Sequence, residues 1–280
     1  MSRSQPISLS TILAALTLAG ALGASSSAAA QSARFRGANV LPYAERHTTM
    51  ERGTFRIDLG PPDHSLLDSG DLGNGYGLRY QHDDRAGVPN RLLLGVGVAY
   101  AFTSEFELGL QLLPLRFDPS EYGDLEAYLR YSLVLGAVDV ALQGVLQMPT
   151  EHALGLAFGV PIFLHLGDVA RLELGLELEL ALHGFHHTHS DDTWLSLDFP
   201  AALALQLTEF LYVGVRSGLQ YLDLERVVIP LGGFVGATLG RGSAADLSCG
   251  LTAFLPDGGG AVEQHASWEL TFGLNLHIGR

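Results

Sequence analysis

The chain has 280 residues, 47% of them hydrophobic, with 34 glycines and a formal net charge of −14. That length is enough for one large β-domain, and the acidic balance argues against nucleic acid as a partner. There is no lysine, and the single cysteine, Cys249, excludes an internal disulfide.

The first 30 residues carry one charge, Arg3. An apolar core from Ile12 to Leu22 is followed by small residues and Ala28-Ala29-Ala30. This is the pattern of a Sec-type signal peptide, with cleavage expected after Ala30. No segment beyond it has 18 consecutive apolar residues, so no transmembrane helix is expected. Residues 31–50, with Arg34, Arg36, Pro42 and Arg46, show no periodicity. They are read as an irregular periplasmic lead-in, and residues 51–280 as the folded domain.

From Thr54 onward apolar residues recur at every second position, which is the period of a β-strand with two unlike faces. The clearest case is Ala170–Gly184. Its leucines at 172, 174, 176, 178, 180 and 182 alternate with Glu173, Gly175, Glu177, Glu179 and Ala181. The same alternation predicts strands over 54–59, 91–102, 106–115, 124–135, 137–147, 154–165, 170–184, 194–206, 210–220, 227–240, 245–255 and 267–279. The stretch 76–80 can also pair as a strand and is left open. Pro161, Pro200 and Pro230 fall inside strand patterns, where proline interrupts a ladder, and are expected to mark bulges.

A continuous leucine wall is tolerable on the outside of a barrel only against lipid. The other face alternates charge with glycine and alanine, which suits a crowded, wet lumen. Short connections, such as Thr103-Ser104-Glu105 and Leu207-Thr208-Glu209, alternate with longer ones, such as His183–Thr193. The expected fold is an all-β, transmembrane, antiparallel up-and-down barrel of about twelve strands. Its short turns would face the periplasm and its longer loops the exterior. Tyr100, Phe102, Phe106, Trp194, Tyr221 and Trp268 sit near strand ends, as interfacial aromatic girdles do.

The last strand reads Thr271-Phe-Gly-Leu-Asn-Leu-His-Ile278. It resembles the C-terminal signal read by the barrel assembly machinery, although the chain ends in Gly279-Arg280 where many such proteins end in phenylalanine. The turn phrases Phe102–Gly109 and Leu207–Gly214 are of the same kind. From Thr54 to Arg280 the chain resembles a Gram-negative outer-membrane β-barrel protein, porin- or transporter-like. The resemblance implies insertion in the cell outer membrane, with lipid, the assembly machinery and small polar solutes as partners.

The inward face carries the acids Glu107, Asp139 and Asp246 among others, and the candidate pore lining is drawn from it: Glu126, Arg130, Glu173, Glu177, Glu179, Asp198, Arg216 and Glu269. Glu177 is expected near the middle, facing Arg130 and Arg216, with acids dominating both mouths. Such a lining favours a narrow passive channel for small polar or cationic solutes. The same residues could instead close the lumen by salt bridges, giving a structural or interaction barrel. The loop HGFHHTHSDD offers His183, His186, His187 and His189 as zinc or copper ligands. The spacing matches no defined site, and a solvated polar loop has the same composition. No cofactor is otherwise expected. A lipid-modifying enzyme would need a serine beside a histidine. The inward serines Ser132, Ser196 and Ser248 have no such neighbour in the strand alignment, so no enzymatic activity is expected.

Overall fold

The computed structural model describes residues 41–59, 77–83, 91–111, 115–117, 120–122, 125–148, 154–182, 194–222, 226–239, 243–256 and 267–278. The candidate signal peptide and the His183–His189 loop lie outside the described residues. So do the longer connections.

The period-two segments pair as a closed antiparallel barrel of twelve strands. Four are built from two pieces each. β1 consists of Phe55–Asp58 and Gly77–Asp83, and β2 of Arg91–Gly95 and Gly97–Ala101. β3 consists of Phe106–Gln111 and Leu115–Phe117, and β4 of Ser120–Tyr122 and Leu125–Val134. The others are continuous: β5 (Val138–Met148), β6 (Leu154–Leu166), β7 (Ala170–Leu182), β8 (Trp194–Gln206), β9 (Leu211–Leu222), β10 (Arg226–Leu239), β11 (Ser243–Pro256) and β12 (Ser267–Ile278). Each strand pairs with its sequence neighbours, and β1 closes the ring on β12.

β1 explains why the stretch 76–80 is ambiguous in sequence. Its lower piece pairs Phe55 with Ile278 and Asp58 with Asn275. Leu59 exchanges both backbone hydrogen bonds with Leu274, at 2.7 and 3.2 Å. The upper piece resumes with Leu78 opposite Phe272 and runs to Asp83 opposite Ser267. One barrel position is therefore filled by two pieces, with residues 60–76 inserted between them.

The alternation sorts side chains as the sequence reading expects. Phe158 is 62% exposed, Leu231 55% and Leu178 41%, all on the outer wall. Their inward neighbours Ala157, Glu177 and Glu179 are buried. An unbroken outer face of this kind is stable against hydrocarbon and costly in water. At the short-turn rim Tyr100, Phe102 and Phe106 touch edge to face or tilted, at 4.9 and 5.7 Å between centroids.

The prolines do not mark bulges. Pro161 stays paired with Gly175 on β7, while its ladder to β5 lapses between Gly159–Gln143 and Ile162–Val140 and resumes in the same register. Pro200 keeps Gly218 on β9 and loses only the β7 side. Pro230 keeps Phe254 on β11 and loses only the β9 side. Each proline lacks one N–H, so it interrupts a single ladder and shifts nothing. The register shift that does occur, between Ser132 and Val134 on β4, involves no proline.

Candidate functional site

The inward side chains form two tiers, distinguished by what fills the space between them. The lower tier is at the short-turn end. It is filled by residues 41–50, part of the stretch 31–50 that the sequence presents as a periplasmic lead-in. The segment is irregular, with one 3-10 turn at Tyr43–Glu45, but it lies inside the barrel. Tyr43, Ala44, Arg46, Thr48, Thr49 and Met50 are all buried. The chain leaves the lumen through a turn in which Thr54 N–H bonds Glu51 O at 3.0 Å. Gly53 in that turn has φ +82°, a conformation other residues rarely adopt, and its N–H reaches Ala101 O at 2.8 Å. From there the chain enters β1.

Strands β2 to β11 each contribute a contact to this segment. Arg46 makes a two-pronged ion pair with Asp246 on β11, both contacts 2.7 Å, and its Nη2 also donates to Thr238 on β10 at 2.7 Å. His277 on β12 reaches the same Asp246 at 2.7 Å. Arg171 on β7 donates to Tyr43 O and Arg46 O at 2.8 and 3.0 Å. Its guanidinium lies 4.1 Å from the Tyr43 ring centroid. Tyr43 stacks on Tyr212 of β9 at 4.2 Å. Gln206 on β8 accepts from Ala44 N–H. Arg130 on β4 donates to Thr48 O at 2.9 Å, and Met50 N–H donates to Glu107 on β3 at 3.0 Å. Met50 also packs with Ala99 and Ala101 of β2.

Two histidines meet one carboxylate in this tier. His47 Nδ1 lies 2.8 Å from Asp139 Oδ2, and His165 Nε2 lies 3.0 Å from the same oxygen. In the same tier Arg56 bonds Asp58 at 2.7 Å and Tyr128 at 3.0 Å, and the Tyr128 hydroxyl donates to Glu107 at 2.5 Å.

Small inward residues make room for this filling. A side chain at Gly236 would overlap the Tyr212 ring, and one at Gly109 the Tyr128 ring. Gly236 and Gly109 are therefore seats for the aromatic rings that meet the segment.

The upper tier is acidic. Glu177 and Asp198 are direct cross-strand partners, as are Glu179 and Ser196. The carboxylates of Glu177, Glu179 and Asp198 lie within 4.8 Å of one another, all buried. Ser196 donates to Glu179 at 3.3 Å. Neither oxygen of Asp198 has a hydrogen-bond partner among the described residues.

The candidate lining residues divide between the tiers. Arg130 lies low, not in the middle, held by Gln143 and Thr48 O. Glu173 is also low, bonded to Arg171 at 2.9 Å. Glu177, Glu179 and Asp198 come together above them. Arg216 on β9 is half-buried, its Nη2 3.5 Å from where a side chain on Gly250 would begin. Glu269 is buried on β12, and Glu126 is half-buried on β4. The residues the alternation could not identify are those of the segment itself, Tyr43, Arg46, His47, Thr48 and Met50. The available signal was a surplus of inward charges close to the short turns: Glu107, Asp139, Arg171 and Asp246.

No family model matches this chain, and no curated protein matches it. Among solved structures it is similar to the NanC porin, with TM-score 0.49, 6% identity, and coverage of 70% of this chain and 97% of that one. An anion-selective porin from Comamonas acidovorans matches with TM-score 0.38 and 7% identity over 80% of this chain and 98% of its own. A bacterial polysaccharide outer-membrane secretin matches with TM-score 0.43 and 10% identity over 82% and 99%. The strand pairing and the apolar outer wall carry the architecture: a closed barrel consistent with an outer-membrane β-barrel protein.

Proposed function

We propose that this chain is an outer-membrane barrel that provides a narrow passive path for small polar or cationic solutes, closed at its periplasmic end by residues 41–53. The observation that carries the reading is the upper carboxylate cluster. Three buried acids within 4.8 Å, one of them with no hydrogen-bond partner among the described residues, are costly in a sealed interior. They suit a lumen that hydrated cations enter. The lower tier supports closure, since the segment spans the bore from β2 to β11.

A specific observation also favours a second reading. Arg46 and His47 of the segment are each matched to a buried aspartate of the wall, so the barrel can serve as a permanently closed scaffold with working external loops. The hydroxyls of Ser132 and Ser196 are engaged by partners other than histidine. Ser132 meets the Thr48 and Thr49 hydroxyls at 2.8 and 2.9 Å, and Ser196 meets Glu179.

Planar-bilayer recordings separate these readings. The full chain should show small, cation-preferring conductance steps. Cation preference should fall when Glu177, Glu179 and Asp198 become Gln, Gln and Asn, and conductance should rise when residues 41–50 are deleted. Silence in both the full chain and the deletion rejects the channel.

A further inference from the structure

The His47–Asp139–His165 cluster asks more of its protons than two neutral histidines can supply. His165 Nδ1 lies 2.8 Å from Ala44 O, which can only accept. Its Nε2 lies 3.0 Å from Asp139 Oδ2, which as a carboxylate also only accepts. A neutral imidazole carries one N–H. His47 Nδ1 approaches the same oxygen at 2.8 Å, and Thr48 N–H points at it from 3.3 Å. Filling these contacts with protons alone makes the His165 ring positive, with the His47 ring 5.5 Å away between centroids and donating to the same carboxylate oxygen. A divalent cation between the two nitrogens and the oxygen satisfies all three while both rings stay neutral.

We propose that His47, Asp139 and His165 form a zinc-class metal site that clasps the N-terminal segment to the barrel wall. Two imidazoles and a carboxylate are a donor set suited to zinc. The three ligand atoms lie within 4.8 Å of one another. Tetrahedral zinc, with bonds of about 2.0–2.2 Å, places its ligands roughly 3.3–3.5 Å apart. The two nitrogens lie closer than that to the carboxylate oxygen, at 2.8 and 3.0 Å, and within 4.8 Å of each other, so adjustment of the two histidine side chains brings the three atoms round an ion.

The surroundings orient each ligand. Ala44 O takes the Nδ1–H of His165, which fixes Nε2 as the ligating atom, as supporting carbonyls do in metal sites. Gly136 N–H donates to Asp139 Oδ1 at 2.7 Å and leaves Oδ2 for the metal. Asp139 is fully buried, whereas the His47 and His165 side chains are 15% and 10% exposed. That edge admits an exchanging ion and a water as fourth ligand. The site joins two parts of the molecule, because His47 belongs to the segment while Asp139 and His165 belong to β5 and β6. Metal occupancy would therefore govern how firmly the lumen is closed. The site itself does not depend on whether the lumen conducts.

The test is Co²⁺ titration of the refolded full chain after chelator treatment, read by the visible bands of tetrahedral cobalt. One site with such bands is expected. His47→Ala and His165→Ala should each weaken it by about tenfold or more. A variant with His183, His186, His187 and His189 all changed to Ala should retain it, which separates this site from the His-rich loop. His47 belongs to no strand of the wall, so His47→Ala leaves the strands intact and decides the matter if His165→Ala does not fold. Zn²⁺ should also slow tryptic cleavage after Arg46 in the parent and not in His47→Ala. Bands unchanged in His47→Ala, or lost only in the loop variant, overturn the proposal.

Discussion

Near the short turns Asp246 receives a two-pronged arginine and a histidine. On the same inner surface, eight residues above the end of β8, Asp198 receives no hydrogen bond from the described residues. Both are buried aspartates on strands with leucine outside, and the sequence pattern treats them alike. What separates them, among the described residues, is the segment 41–50, which packs against Asp246 and makes no hydrogen bond to Asp198. A barrel wall supplies charges at intervals fixed by its pleat. Whether such a charge becomes a structural tie or a site for a mobile ion depends on what is threaded through the middle.

The same substitution in the two tiers should therefore have opposite consequences. Asp246→Asn leaves Arg46 buried without its counter-charge. Breaking such a pair from one side costs about 3 kcal/mol. The segment should loosen, and tryptic cleavage after Arg46 should accelerate far above the parent rate. An unchanged rate would mean that the remaining contacts hold the segment without this pair.

A steric change tests the lower tier without touching charge. Gly236→Leu places a side chain where the Tyr212 ring lies, and Tyr212 is the surface on which Tyr43 stacks. Overpacking of this kind costs about 1–3 kcal/mol. The expected outcome is a lower temperature for loss of the compact unheated gel band, together with faster cleavage after Arg46. Loss of barrel stability with no change in cleavage would show that Tyr212 moves without Tyr43.

In the upper tier, Asp198→Asn removes a charge that the fold leaves without a hydrogen-bond partner among the described residues. The barrel should gain stability by about 1 kcal/mol, the lower end of the cost of an unsatisfied buried group. Its cation preference should weaken at the same time. Destabilisation would instead show that Asp198 is neutralised by a bound ion or a contact outside the described residues.

The contrast between tiers also marks what the sequence could reveal. Strands such as β7 and β12 are legible because their information is local: leucine at alternate positions sets both period and facing. The division of β1 is not local. The pieces 55–58 and 77–83 become one barrel position only through pairing with β12, about 190 residues away or more. The filling of the lumen is less local still. Residues 41–50 have no period, and their partners Asp139 and Asp246 are 92 and 200 positions distant. The inward acids could be listed from alternation. Which were already paired could not, because the pairing arginine and histidine sit in a segment that reads as a loop.

The smallest expected effects belong to the rim, where local sequence does carry the detail. In the first of two short turns, Thr103 Oγ1 accepts N–H bonds from Glu105 and Phe106 at 3.2 and 3.1 Å. In the second, Thr208 Oγ1 accepts from Phe210 and Leu211 at 3.3 and 3.0 Å. A threonine hydroxyl bonded to the backbone two and three residues on is a turn-forming device. Thr103→Ala and Thr208→Ala should each cost about 0.5–1.5 kcal/mol. The two effects should add, since the turns share no partner. The Thr103 hydroxyl also holds the exposed Glu105 carboxyl below its ordinary value. A lowered carboxyl favours the folded state above the unfolded-state value, and that contribution fades as pH falls through the folded one. Its titration, followed by carboxyl NMR, should move upward in Thr103→Ala and stay in place in Thr208→Ala. Equal movement in both would mean that the turns communicate through the segment between them.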